Sequence, residues 1–176
     1  MKYLNIQTVG RASVLACLLA LHVPFVGAME VLKQQPKGAI IFTVNDKSSA
    51  AQAPVSAGFD AAMLKSLPQT SFVTKTPWYK DSIKLTGPLL KDVLDVLKVK
   101  GEKITAVALN DYTVTIPLAD AIKYGAILAL TRDGKELSIR DKGPIWIIYP
   151  FDAHPELQNI TYYSRAIWQL SSITVE

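Results

Sequence analysis

The chain's one cysteine, Cys17, falls inside an apolar leader, and this placement constrains how the remainder can hold itself together. Lys2 and Arg11 are the leader's only formal side-chain charges, Ala12 to Val26 is almost entirely apolar, and Val26-Gly27-Ala28 ends the run with small residues. That is the pattern of a secretory signal peptide over residues 1–28. The run is too short to serve comfortably as a permanent helix across a bilayer core of roughly 30 Å. A lipid-anchor reading at Val14-Leu15-Ala16-Cys17 would leave Leu18 to Val26 exposed at a new terminus, so cleavage after Ala28 is expected instead. Residues 29–176 then contain no thiol. They have no disulfide and no thiolate metal ligand, and must fold by burying apolar surface.

An exported, thiol-free domain is expected in a bacterial periplasm rather than among small disulfide-stapled modules. With 28 of 176 residues removed, 148 remain, the common size of one domain. Because Lys2 and Arg11 leave with the leader, the 19 basic residues fall to 17 against 15 acidic ones, and the net charge drops from +4 to +2. No basic stripe could track a phosphate backbone; Lys98, Lys100 and Lys103 read as a solvated helix end. Nucleic acid is not an expected partner.

Helical and extended patterns alternate along the chain. Ala39 to Val44 is β-rich, Asn45 to Pro54 reads as a loop, and Asp60 caps a short helix that ends at Leu67 before Pro68. Thr70 to Thr76 and Ser82 to Thr86 read as strands. Leu89, Leu90, Val93, Leu94 and Leu97 line one helical face, the clearest periodicity present. Ile104 to Leu109 and Thr113 to Ile116 are strands joined through Asn110-Asp111-Tyr112. Pro117 opens a helix over Leu118 to Lys123, and Gly125 closes it. Ala126 to Thr131 and Glu136 to Ile139 flank an Asp-Gly hairpin turn at Asp133-Gly134. Ile145 to Tyr149 reads as a buried strand and Ile173 to Val175 as the last one, while Tyr162 to Leu170 fits helix and strand equally. No repeat or linker divides the chain, so one compact mixed α/β (α+β) domain is expected.

Four clusters sit where such elements end, the places from which loops present chemistry. Thr76-Pro77-Trp78-Tyr79 is either a core-edge aromatic pair or a stacking platform for a flat heterocycle. Asn110-Asp111-Tyr112 serves a tight turn equally well. Arg140-Asp141-Lys142-Gly143-Pro144 sets two cations and an acid beside a glycine that permits close backbone approach. Arg165 and Trp168 fall at i, i+3 spacing if their segment is helical. His154 precedes a proline in a polar loop and reads as solvated, which leaves no histidine-based zinc or haem site and no Ser/His/Asp arrangement. Asn159-Ile160-Thr161 is formally a glycosylation acceptor, without weight in a periplasm.

In order, TPWY, GPLLKDVL, ALNDYTVTIPLAD, LALTRDG, RDKGPIWIIYP and SRAIWQLSSITV closely resemble the oxidoreductase molybdopterin-binding domain family, in its small, exported, stand-alone branch. The resemblance runs from about Ala39 to Val175, and RDKGPIWIIYP and NDY…IP are its more specific parts. It implies a sulfite-oxidase-like fold and a pterin cleft at Trp78, Asn110, Asp111, Tyr112, Arg140, Lys142, Gly143, Arg165 and Trp168. A stacked indole, an Asn or Asp on the ring's donor–acceptor edge, and Arg or Lys on acceptor atoms or a phosphate are the chemistry such a ring requires.

Catalytic members of the family carry a cysteine in the strand before the long helix, which falls here at about Lys75 or Thr76. An ammonium cannot replace a thiolate on molybdenum, for which soft sulfur is suited. The resemblance therefore implies a pseudo-enzyme that binds a pterin, without molybdenum, and reports it to the periplasmic portion of a membrane-bound enzyme of cyclic di-GMP signalling. The alternatives are an oxidoreductase whose molybdenum is held only by the pterin dithiolene and oxygen ligands, and an envelope-assembly module whose aromatic cluster is merely core.

Overall fold

The computed structural model describes residues 35–48 and 55–176. The leader, Cys17 and the cleavage site expected after Ala28 lie outside them, as does most of the loop expected over Asn45 to Pro54. Among the described residues no helix is long and apolar enough to cross a membrane.

Three sheets and four short helices make up the described chain. The first sheet joins both halves of the sequence: β1 (Phe42–Asp46), β2 (Val55–Phe59), β5 (Lys103–Ala108), β6 (Thr113–Pro117) and β11 (Leu170–Val175) lie in the order β2-β1-β11-β5-β6. The β1–β11 pair is parallel and the other pairs are antiparallel. β11 thus occupies the centre, and Ile173 and Val175 are fully buried along it. The second sheet has the order β3-β4-β8-β9, from β3 (Gln69–Thr76), β4 (Tyr79–Pro88), β8 (Thr131–Arg132) and β9 (Lys135–Glu136). A two-stranded ribbon of β7 (Ile127–Ala129) and β10 (Trp146–Ile148) is fully apolar and fully buried. Trp146, Tyr149, Phe42, Phe59, Leu64 and Leu85 are the bulkiest members of a single core.

Helix α1 (Ala61–Ser66) starts where expected, with the Asp60 carboxylate accepting from Met63 N at 2.8 Å. The periodic segment forms α2 (Leu90–Leu97), which buries Leu90, Val93, Leu94 and Val96 and ends at Lys98 in the left-handed conformation. Helix α3 (Leu118–Lys123) follows Pro117 directly, and Gly125 (φ +62) turns the chain after it. The segment that fitted helix and strand equally divides between both. Helix α4 (Ile160–Arg165) is capped by the Asn159 side chain, which accepts from Thr161 N and Tyr162 N, and Leu170 then opens β11.

One strand was not expected from the sequence, and two expectations need correction. Val55–Phe59 is a strand, although Val-Ser-Ala-Gly-Phe carries little β signal; pairing with β1 along its whole length makes it one. The run Ala126 to Thr131 is two strands, because Leu130 is where the chain leaves β10 and joins β4: Leu130 N donates to Thr86 O at 2.9 Å. The strand expected over Glu136 to Ile139 ends at Glu136, and Ile139–Asp141 is a single 3₁₀ turn. The Asp-Gly turn between β8 and β9 forms with positive φ at Asp133 (50°) and Gly134 (78°), the geometry that matches strand twist in a two-residue hairpin.

Candidate functional site

The β3–β4 turn places Trp78 where the second sheet, the buried ribbon and the segment after α4 converge. Its ring meets Trp146 and Trp168 edge-on at 5.4 Å each, and Tyr163 at 6.1 Å. Edge-to-face contact pairs the positive edge of one ring with the negative face of the next, so the cluster is mutually orienting. The backbone fixes it further. Trp146 Nε1 donates to Ala166 O at 3.0 Å, Ile147 N to Ile167 O at 2.9 Å, and Leu170 N to Ile145 O at 2.9 Å. These bonds thread residues 166–170 beside β10 and hold Trp168 next to Trp78.

A pocket of about 380 Å³ opens over this cluster. Trp78 and Trp168 contribute its aromatic wall, Asn110 and Tyr112 come from the β5–β6 turn, and Tyr163 and Ser164 come from α4. The volume falls in the range typical of small-molecule sites, and the lining is mainly apolar with few polar groups. Its rim carries two exposed apolar side chains, Tyr112 (49% exposed) and Ile160 (80%).

Of the nine residues singled out from the sequence, Trp78, Asn110, Tyr112 and Trp168 line this pocket. Asn110 Oδ1 also accepts from Tyr112 N at 3.3 Å and so shapes the turn, while Asp111 occupies its left-handed position (φ 64). Lys142 is outside the lining but touches the same indoles: its Nζ is 3.8 Å from the Trp168 ring centre and 5.4 Å from that of Trp78. Burial pushes its ammonium below the usual lysine range, nearby Arg132 acts in the same direction, and Asp141 opposes them. Arg140 is exposed on the 3₁₀ turn. A Cβ on Gly143 would meet Leu137 O at 2.1 Å, so the chain's own backbone occupies that close approach.

Arg165 is turned to another task. Its guanidinium donates to Asp120 on α3 at 2.8 Å and lies over the Tyr162 ring at 4.9 Å. Tyr162 Oη donates to the same carboxylate at 3.4 Å. This clip fixes α4, one wall of the pocket, against α3. Nearby, burial drives the Tyr149 phenol far above its ordinary range, and its Oη has no hydrogen-bond partner.

The pterin cleft implied by the sequence omits Trp146, Tyr163, Tyr79 and Asp120. Trp146 lies inside the RDKGPIWIIYP segment and Tyr79 beside Trp78, so a signal existed for both. Tyr79 Oη donates to Asp141 Oδ1 at 2.9 Å, and Arg132 reaches the same oxygen at 2.6 Å. Burial, and then that bond to Asp141, raise the Tyr79 phenol above its usual value.

The donor set does not suit molybdenum held through protein sulfur. Lys75 is exposed and its backbone N–H donates to Asp152 at 2.9 Å; Thr76 is buried and its Oγ1 has no partner. Neither is a soft ligand. Among the described residues no three His, Cys, Asp or Glu side chains are gathered as a metal site.

No family model and no curated protein matches the sequence. Among solved structures, the sulfane dehydrogenase SoxCD from Paracoccus pantotrophus is similar, with a TM-score of 0.56 at 13% identity over 76% of this chain. The chain spans 38% of the length of that protein. The likeness shows the fold, the mixed α/β sulfite-oxidase-like arrangement expected from the sequence. At that identity it is a likeness of backbone only.

Proposed function

We propose that this chain is a periplasmic pterin-binding protein that holds its ligand in the Trp78–Trp168 pocket without performing chemistry on it. The observation that carries the reading is the pocket itself, in which two indoles and two rim groups, Asn110 and Tyr112, meet in one cavity of the right class. The flat heterocycle stacks on the indole wall, and the Asn110 amide, a donor and an acceptor, reads its edge. Residues 75 and 76 supply no thiolate, which supports binding without molybdenum. By the sequence resemblance, the bound state is reported to the periplasmic portion of a membrane-bound enzyme that makes or breaks cyclic di-GMP. Linkage then requires pterin and that portion to change each other's affinity by the same factor.

Calorimetric titration of the metal-free protein with reduced and oxidised pterins tests the reading. Micromolar or tighter binding that weakens about 5- to 150-fold in a folded Trp78→Ala variant is the expected result; absence of binding to every free pterin overturns it. The second reading is an oxidoreductase with molybdenum held by the pterin dithiolene and oxygen ligands, and the unpartnered Thr76 hydroxyl favours it. Stoichiometric molybdenum in protein purified from its native host would establish that reading instead.

A further inference from the structure

We propose that Trp78, Tyr79, Trp146 and Trp168 form an aromatic cage for an organic ammonium group, and that Lys142 is its resident, displaceable cation. The Lys142 Nζ lies 3.8 Å from the ring centre of Trp168, 5.4 Å from Trp78, 5.5 Å from Trp146 and 5.8 Å from Tyr79. No carboxylate among the described residues pairs with it. Its neighbour Asp141 is engaged by Arg132 and by the Tyr79 hydroxyl. The charge is therefore met by ring faces, the way aromatic cages recognise methylated ammonium ligands.

The backbone at Lys142 points to the same assignment. Its φ is 67°, a left-handed conformation that costs a side-chain-bearing residue energy and persists only where surrounding structure enforces it. Gly143 N donates to Ser138 O, Gln169 N to Lys142 O, and Gln169 Nε2 to Ile139 O, bracketing the turn on both sides.

The resident cation is also poorly matched to its cage. A primary ammonium has three N–H donors, and no acceptor among the described residues takes a hydrogen bond from this one. Lys142 is partly exposed, so its donors are left to solvent; a quaternary ammonium brings the same charge with no N–H to keep hydrated and gives up less on entering the rings. Arg132, over the opposite partner ring Tyr79 at 4.5 Å, opposes any cation there, and Asp141 favours one. This assignment does not depend on pterin binding.

Tetramethylammonium is the probe, with sodium chloride at equal ionic strength as the control and tryptophan fluorescence as the readout. Lys142→Ala is expected to bind it at least tenfold more tightly than the unaltered protein, and adding Trp168→Ala is expected to abolish that gain. A folded Lys142→Ala variant that responds no differently from the salt control overturns the proposal. So does binding that survives loss of Trp168. Reductive ¹³C-methylation of the unaltered protein gives a measurement that needs no variant to fold. The Lys142 methyl resonance is expected upfield of the other lysines through ring currents, moving toward them as tetramethylammonium is added. A resonance among the other lysines from the start, or one the probe leaves in place, overturns the proposal.

Discussion

Trp78 is the side chain on which packing and the pocket both converge, since three aromatic neighbours and the cavity meet at one indole. It is only partly buried, so Trp78→Ala should destabilise the fold by about 2–3 kcal/mol, below the full cost of emptying a core site. Denaturant unfolding measures that loss. Stacking of a flat base on an aromatic ring contributes roughly 1–3 kcal/mol, so pterin affinity should fall about 5- to 150-fold in the same variant, read by calorimetry. Asp60 gives a prediction in pH. Its carboxylate accepts from Met63 N, Gly38 N and Lys37 N at 2.8 Å each, and these bonds, Met63 first, hold it below the usual carboxylate range. A depressed carboxyl contributes stability that is present above its unfolded value of 3.8 and lost as pH falls through the lower folded value. Asp60→Asn should therefore flatten that part of the acid limb of stability against pH. Thermal unfolding between neutral pH and about pH 2 checks it, and an unchanged acid limb would show that other carboxylates set it.

At the level of elements, two glycines separate backbone space from backbone conformation. A Cβ on Gly87 would lie 1.9 Å from Leu128 O, because β4 passes directly beside β7. Neither chain can yield without breaking its own sheet, so Gly87→Ala should cost about 3 kcal/mol or more. Gly134→Ala meets nothing within 4 Å but must adopt φ +78, and should cost only about 1 kcal/mol. Urea midpoints for the two variants test the ranking. The clip between α3 and α4 behaves differently again. Arg165 and Asp120 are 17% and 31% exposed, between surface and buried pairs, so Asp120→Ala should cost about 1–2 kcal/mol and weaken pterin binding by loosening a pocket wall it does not itself line. Legibility from sequence follows the same division. The α2 face and the Asp60 cap were readable because their determinants lie within one turn of chain. The strand Val55–Phe59 and the break at Leu130 were not, because pairing partners decide them. In the candidate site, Trp78 and Trp168 lie 5.4 Å apart and line one pocket. Arg165 instead meets Asp120, forty-five residues away, a partner that no local pattern announces.

Across the whole molecule, the sheet order puts the end of the described chain at the centre of the fold. β11 lies between β1 and β5, parallel to the first and antiparallel to the second, and it buries Leu170, Ile173 and Val175. The same strand begins just after Trp168, so the central sheet and the aromatic wall of the pocket form in one step. Two elements far apart in sequence must pair before either is stable, which makes closure of a long loop part of the folding barrier. Refolding should accordingly be slow for the chain's size, in the millisecond-to-second range of topologies dominated by distant pairings. A chain ending at Gln169 keeps every described helix and ten of the eleven described strands, yet it leaves Val44, Ile104 and Ala106 without the strand they pair with. It should lose cooperative unfolding entirely rather than melt at a lower temperature. The contrast is with Glu176→Ala, which removes the half-exposed ion pair with Lys103 and an exposed, long hydrogen bond from Thr105 Oγ1, and should shift stability by under about 1 kcal/mol. Circular dichroism of both variants during heating decides the matter: a sharp transition in the truncated chain would mean that β1 and β5 can close the sheet without β11.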